Sequence, residues 1–496
     1  MASRSETFRG RPSSSLFPPA LKVIGLAGFA REARPFLGVT RDLYGDAELL
    51  RAVADAPGPT GRTMLMHAAA IGDLPRLTAL IAAGAALELE SEEDYFELCG
   101  PVTALMHASR NGQAPCCDAL LDAGAHFHMD AYCYTSIVAL SGMRALQRRG
   151  DVARILSRMF LEHSRFHNPV GALDAGMPAA LIAFLSLPIA QTADGGDVAD
   201  TLLAALRHLA DMVHKKARGA QALADAGAPR ALMRQAQLTI DSGGADNASN
   251  RRRIDQLAIT VCRVAVCGAA AADALVAAGA VKALAALSVL PCARGSETAL
   301  ALIADTYAVL AQAEGGRAAL LTARAPAVLA GMPGADSSWE IGVARARAWA
   351  ALAEDDAGRA ACVDAGALRA LAELARGDHD WSNSDVEDVA RAFTKLAGGA
   401  AGAAACVGAG ALEAFVALTR CDWAGRNADV ARAVAEALAA VGRGSGGAAR
   451  GRAAGAGAAL EALGQKAAVK GSRGPARALA AAAAVFGGDG RKSHGK

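Results

Sequence analysis

Aromatic residues make up only 4% of the 496-residue chain. A core built on few large rings must be filled by many small side chains. The sequence also lacks long uninterrupted apolar runs. Its most hydrophobic stretch, around Gly268 to Leu290, is broken by Asp273 and Lys282, well short of the roughly 18 apolar residues that a membrane-spanning helix needs. Strand-type alternation is missing, so no glycine-rich phosphate loop follows a strand. No His-Glu-x-x-His and no Cys/His zinc spacing occurs, and the ten cysteines include no Cys-x-x-Cys pair. These absences point away from an enzyme, a bound cofactor and a metal centre, and the chain is expected to be non-catalytic.

What the chain has instead is alanine and glycine. Hydrophobic residues reach 53%, and there are 53 glycines. Charge is uneven along the chain. Residues 1–40 carry 6 Lys/Arg against 2 acids, residues 41–442 carry 35 against 45, and residues 443–496 carry 10 against 2. The segments are thus +4, −10 and +8, totalling the chain's +2. An acidic body argues against a nucleic-acid groove along it. The lack of a Cys-x-x-Cys pair, with Cys362 and Cys406 reading as small core residues, favours a reducing compartment, with the cytoplasm as the expected location and the nucleus beside it. Residues 1–40 are Arg/Ser-rich and acid-poor, a disordered leader or, alternatively, an organellar transit peptide.

One phrase recurs. It is clearest at Gly358 to Leu374 (GRAACVDAGALRALAEL) and returns at Gly402 (GAAACVGAGALEAFVAL), Ala271 (AADALVAAGAVKALAAL) and Gly219 (GAQALADAGAPRAL). Weaker copies start at Gly171, Gly316 and Gly451, the last two residues short. The central positions are Gly176, Gly227, Gly279, Arg324, Gly366, Gly410 and Gly457, at spacings of 51, 52, 45, 42, 44 and 47. A period in the forties means stacked helical units, an all-α solenoid. In each copy a short helix ends at Ala-Gly, a second helix starts at once, and a longer third follows a polar loop. In the third helix Asp385 to Ala397, residues Val386, Val389, Ala390, Phe393 and Leu396 share one face. Cys362 and Cys406 hold the same place in two copies and read as small core residues.

This arrangement resembles the armadillo repeat over residues 150–442, with alanine replacing many of that family's larger core residues. Beyond 442 a basic Gly/Ala-rich tail is expected, with a degenerate last repeat or a capping helix at Ala476 to Phe486. A second pattern precedes it. GRTMLMHAAAIGDLPRLTALIAAGAALE from Gly61 and GPVTALMHASRNGQAPCCDALLDAGAHFH from Gly100 place Thr63 and Thr103, Gly72 and Gly112, and Gly84 and Gly124 each 40 residues apart. Threonine caps the first helix of each copy and the glycines end the helices. This resembles the ankyrin repeat, spread over residues 41–149, with the acidic insertion Glu88 to Leu98 accounting for the long period. A helix from Asp42 and a further unit from Thr135 are expected at its borders. The helix Asp151 to His163 marks the seam, and the two arrays are expected to form one right-handed superhelix.

The resemblances imply a protein-interaction scaffold that binds a partner segment along the concave face. Alternatives are the substrate-recognition adaptor of a multi-subunit modification complex, such as a ubiquitin ligase, and an RNA or anionic-surface binder acting through the basic ends. Armadillo adaptors for nuclear import carry Trp and Asn on the third helix to hold a basic peptide. Here those positions are Arg347 and Ala351, Arg391 and Lys395, and Glu436 and Ala440. The ladder is absent, and Trp349 falls on the packing side. Arg347, Arg391 and Lys395 are therefore candidate contacts for an acidic or phosphorylated segment. The competing reading pairs them with Asp355, Asp388 or Glu387. On either account their joint replacement is expected to change melting only slightly. His67 and His107 occupy equivalent ankyrin positions and are further candidate contacts, with a hydrogen-bonded ladder preferred over a metal pair. The run Arg251-Arg252-Arg253 and the cluster Lys215-Lys216-Arg218 read as solvated charge, with a partner contact as the alternative.

Overall fold

The computed structural model describes residues 54–58, 61–91, 102–126, 137–138, 140–142, 150–165, 169–191, 196–213, 217–333, 338–377, 379–419, 427–465 and 473–487. The basic leader, most of the helix expected from Asp42, most of the acidic insertion, most of the unit expected from Thr135, Lys215, Lys216 and the last residues of the tail lie outside them. The chain divides into two units, residues 1–145 and 146–496. Among the described residues all regular structure is helical, and the one β-bridge pairs Ser91 with Val102.

The first unit contains two helix pairs of the same build. They are α1 (Met64–Ile71) with α2 (Leu74–Ala82), and α3 (Ala104–Arg110) with α4 (Ala114–Asp122). The hydroxyls of Thr63 and Thr103 accept from the amides of Met66 and Met106, satisfying donors that a helix start leaves open. Gly72 and Gly112, at φ 78° and 69°, turn the chain out of α1 and α3, and Gly84 and Gly124 do the same after α2 and α4. Leu65, Leu77, Leu80, Leu105 and Leu120 are buried between the helices.

The second unit opens with one long helix, α5 (Gly150–Arg165). Seven three-helix units follow: α6 (Pro169–Asp174), α7 (Met177–Leu185) and α8 (Gly196–Val213); α9 (Ala217–Asp225), α10 (Ala228–Asp241) and α11 (Ala248–Val266); α12 (Ala269–Ala277), α13 (Ala280–Ser288) and α14 (Glu297–Leu310). Then come α15 (Gly316–Thr322), α16 (Ala325–Ala330) and α17 (Trp339–Leu352); α18 (Asp356–Asp364), α19 (Ala367–Arg376) and α20 (Asn383–Leu396); α21 (Gly399–Gly408), α22 (Ala411–Leu418) and α23 (Ala428–Gly442); and α24 (Gly447–Ala454), α25 (Ala456–Gln465) and α26 (Arg473–Phe486).

Each corner is a single left-handed residue, with φ between 54° and 87°. The turn swings the chain by 73° between α12 and α13 and by 70° between α21 and α22. Both bent pairs are apolar, but they are repeat corners, and no single described helix is long and apolar enough to cross a membrane. The third helices pack side by side in chain order. As the sequence periodicity requires, Val386, Val389, Ala390, Phe393 and Leu396 are all buried, and Phe393 meets Phe415 of the next unit edge-on at 4.9 Å.

The last unit corrects two expectations. Its corner is Gly455, at φ 87° and ψ 19°, whereas Gly457 lies inside α25. Counting eight residues back from each of the last four corners reaches Gly316, Gly358, Gly402 and Gly447. A Cβ on any of these would fall 1.8–2.7 Å from a carbonyl oxygen at the end of the preceding third helix. The seventh phrase is thus full length, GAARGRAAGAGAALEAL from Gly447, and in register. The repeat continues to Phe486, whose ring occupies the space above Gly442 and Gly451.

Candidate partner-binding surface

Consecutive third helices are linked through their polar edges. Between α8 and α11, Arg253 Nε lies 3.4 Å from Asp200 Oδ1, and Arg263 Nε lies 3.3 Å from Asp211 Oδ1. Between α11 and the loop entering α14, the Ser296 hydroxyl donates to Asp255. Arg347 on α17 then reaches both ways, donating through Nη1 to Asp305 of α14 at 3.0 Å and through Nε to Asp388 of α20 at 2.6 Å. Its Nη2 also lies 3.7 Å from Asp385. Arg391 Nη1 donates to Asp388 at 3.1 Å, and Lys395 Nζ to Glu354 at 2.8 Å. These pairs put the polar side chains of successive units on one shared surface.

Arg347, Arg391 and Lys395 are therefore brought together, but not as an uncompensated positive strip. Asp388 pairs with two of them, while Asp355 instead caps α18 and pairs with Arg317. Burial alone would lower the affinity of Arg347 for its proton, and the hydrogen bonds to Asp388 and Asp305 reverse that and hold it above the ordinary value. Burial pushes the Asp305 carboxyl up, and Arg347 offsets this only in part.

Two other candidates are not on a surface at all. His67 is 8% exposed and His107 is 3% exposed, and His107 Nε2 lies 3.3 Å from the Ser91 hydroxyl. Both are interior side chains of the first unit, because their helix position faces the neighbouring pair rather than solvent. Trp349 packs inward as expected, 1% exposed, with the Arg345 guanidinium 4.7 Å above its ring. The seven described free cysteines are buried, and burial pushes the thiols of Cys362 and Cys406 up to about 12, so they remain protonated.

The basic run on α11 resolves into three separate roles. Arg251 pairs with Asp246, holding that carboxyl below its usual range, and Arg253 pairs with Asp200. Arg252 instead lines a groove of about 320 Å³ formed by α5, α8 and α11. Arg154 and Arg158 of α5 line the same groove and were not singled out from the sequence. The available signal was their four-residue spacing on the polar face of α5, opposite buried Val152, Leu156, Met159 and Phe160.

No protein-family model matches the chain, and no curated protein matches it. Among solved structures, the crystal structure of an engineered protein is 21% identical, with a TM-score of 0.58 over 90% of this chain and 95% of that one. The likeness is one of fold. A designed armadillo repeat protein in complex with the peptide (KR)4 is 21% identical over 52% of this chain and 98% of its own, with a TM-score of 0.41. Computationally designed armadillo repeat proteins for modular peptide recognition give 22% identity over 51% and 99%, with a TM-score of 0.41. The chain is a helical-repeat protein.

Proposed function

We propose that this protein is a non-catalytic scaffold that holds another protein along the surface formed by its third helices. We read the second unit as armadillo-type and the first as ankyrin-type, on the strength of the capping threonines and turn glycines. The observation that carries the reading is the chain of cross-unit contacts from Asp200 to Lys395. It gathers side chains from five successive third helices onto one polar face, as wide recognition of an extended segment needs. Arg391, with 58% of its side chain exposed, retains the freedom to meet an acidic or phosphorylated group, as does Lys395 at 39%.

A photo-crosslinking residue introduced at position 391 or 263, on third helices, should capture the cellular partner in the full-length chain. The same residue at position 369, on the exposed side of α19, should capture little of it. Crosslinking from 369 alone would overturn the assignment of the binding face, and capture of RNA in place of protein would overturn the scaffold reading.

A further inference from the structure

The groove between α5, α8 and α11 differs from the rest of the third-helix surface in its charge balance. On the polar face of α17 and α20, Arg347, Arg391 and Lys395 are all paired with carboxylates. In the groove, Arg154, Arg158 and Arg252 form no ion pair among the described residues. The carboxylates there are Asp197 and Asp200, and Asp200 is already engaged by Arg253. Burial pushes the Asp200 carboxyl up, and Arg253 and Arg252 offset this in part. Three guanidiniums thus face a cleft in which, among the described residues, Asp197 is the one lining carboxylate without an ion pair, in a body that is net negative.

We propose that this groove binds an extended acidic peptide segment, with side-chain carboxylates on Arg154, Arg158 and Arg252. The proposal rests on the scaffold reading above and narrows it to one site and one chemistry. Three features favour this ligand. Arg154 and Arg158 stand one helical step of four residues apart, about 6 Å along the axis. Alternate residues of an extended chain are separated by about 6.6 Å, so acids at alternate positions match both guanidiniums. Guanidiniums take carboxylates through two parallel hydrogen bonds, which fixes orientation as well as charge.

The third feature separates a peptide from a nucleic acid. The side-chain oxygen of Gln256 in the groove lining is buried without a hydrogen-bond partner. It is an acceptor left without a donor. Asp197, exposed at the groove edge, is an acceptor too. A peptide supplies backbone N–H groups to such acceptors and carboxylates to the arginines. A phosphodiester strand has no backbone N–H groups and carries its charge on every unit, so Asp197 and Asp200 would repel it.

The test is fluorescence anisotropy on the full-length chain with a dye-labelled peptide of alternating Glu and Gly. A Gln-Gly peptide and a single-stranded oligonucleotide serve as comparison probes. The acidic peptide should bind more tightly than both. Replacing Arg154→Gln, Arg158→Gln and Arg252→Gln together should weaken it at least 100-fold, since each lost contact is a charge-assisted hydrogen bond. The triple Arg→Lys variant should lose less, about 10-fold, because the charge remains while the paired geometry is lost. Arg369→Gln should leave binding unchanged. Circular dichroism checks the fold, and Arg252→Gln alone serves if the triple variant is unstable. Equal binding of the acidic and Gln-Gly peptides, unchanged binding by the Gln variants, or tighter binding of the oligonucleotide would overturn the proposal. Failure here with retained crosslinking at 391 removes this groove as the site and leaves the scaffold reading standing.

Discussion

The Nε of Arg347 donates to a carboxylate oxygen of Asp388, 41 residues later, at 2.6 Å. The same guanidinium holds Asp305 of the preceding unit, so one side chain joins three consecutive third helices. Asp388 and Asp385 keep only 12% and 9% of their side chains exposed. Removing one partner of such a cluster leaves its charges desolvated and uncompensated. Arg347→Ala should therefore destabilise the second unit by about 1–2 kcal/mol, discounted for the partial exposure of the arginine. Arg391→Ala and Lys395→Ala should each cost under about 0.5 kcal/mol. This revises the expectation from sequence that all three are thermally silent. Urea melts of the three single variants check the ranking, and equal midpoints for all three would contradict it.

The fold was legible wherever one backbone requirement repeats. The left-handed corner admits few residues besides glycine, so six of seven corners stand out in sequence as Gly. Third-helix cores were legible for the same reason, because apolar spacing follows the helical period. The last unit was set two residues out of place since Gly455 and Gly457 both follow alanine, and only the Gly447 constraint distinguishes them. Charge pairing was legible only as a short set of candidates, of which Asp388 proved a partner. The partners of Arg347 lie 41 and 42 residues away on other helices, and sequence offers Asp355, Asp388 and Glu387 as equal candidates. Nor does sequence tell that His67 and His107 face inward, because both sit among alanines and methionines with no polar face for contrast.

His208 on α8 should make stability pH-dependent. Burial lowers its affinity for a proton below the ordinary value of 6.5, and Arg207 and Arg165 lower it further, against the opposing pull of Asp211 and Glu162. Its ring nitrogen Nε2 lies 3.3 Å from Arg207 Nη2. Well above pH 6.5 the imidazole is neutral in both folded and unfolded chains and contributes no dependence. As pH falls through that value the unfolded chain takes up a proton that the native site resists, so stability declines. His208→Gln should flatten the melting temperature between about pH 7 and pH 5 relative to the parent chain. An unchanged slope would show that another group carries the dependence.

Phe486 ties α26 to α23 and α24 of the stack. Its ring lies over Gly442 and Gly451, and Arg452 Nη1 donates to its backbone carbonyl at 3.3 Å. The side chain is 4% exposed. Phe486→Ala should cost about 3 kcal/mol. In a linear array each unit is held mainly by its neighbour, so the loss should be local. Hydrogen exchange should accelerate in α24–α26 and leave α11–α17 unchanged. Uniform acceleration along the second unit would indicate that the array melts as one body.

The corner residues provide the sharpest comparison, because three positions with related sequence roles should respond in three ways. Gly366 sits at φ 86°, and a Cβ there would meet nothing within 4 Å, so Gly366→Ala carries only the backbone cost of a left-handed residue. That cost is about 1–2 kcal/mol. Gly358, eight residues earlier, has an ordinary helical backbone, but its Cβ would fall 1.9 Å from the carbonyl oxygen of Leu352. Gly358→Ala must therefore push α18 away from the end of α17, and overpacking against a fixed backbone should cost about 3 kcal/mol or more. Arg324 is the reverse case. It holds the same corner at φ 54° and ψ 36° with a side chain attached, and it is exposed. Arg324→Gly should relieve the left-handed strain, offset partly by the greater freedom of glycine in the unfolded chain, for a net gain of about 0.5–1 kcal/mol. Denaturant midpoints on the full-length variants should fall in the order Arg324→Gly, parent, Gly366→Ala, Gly358→Ala. A Gly358→Ala variant as stable as the parent would mean that the first helix of each unit does not rest on the preceding carbonyl, and the register assigned through Gly447 would lose its physical basis.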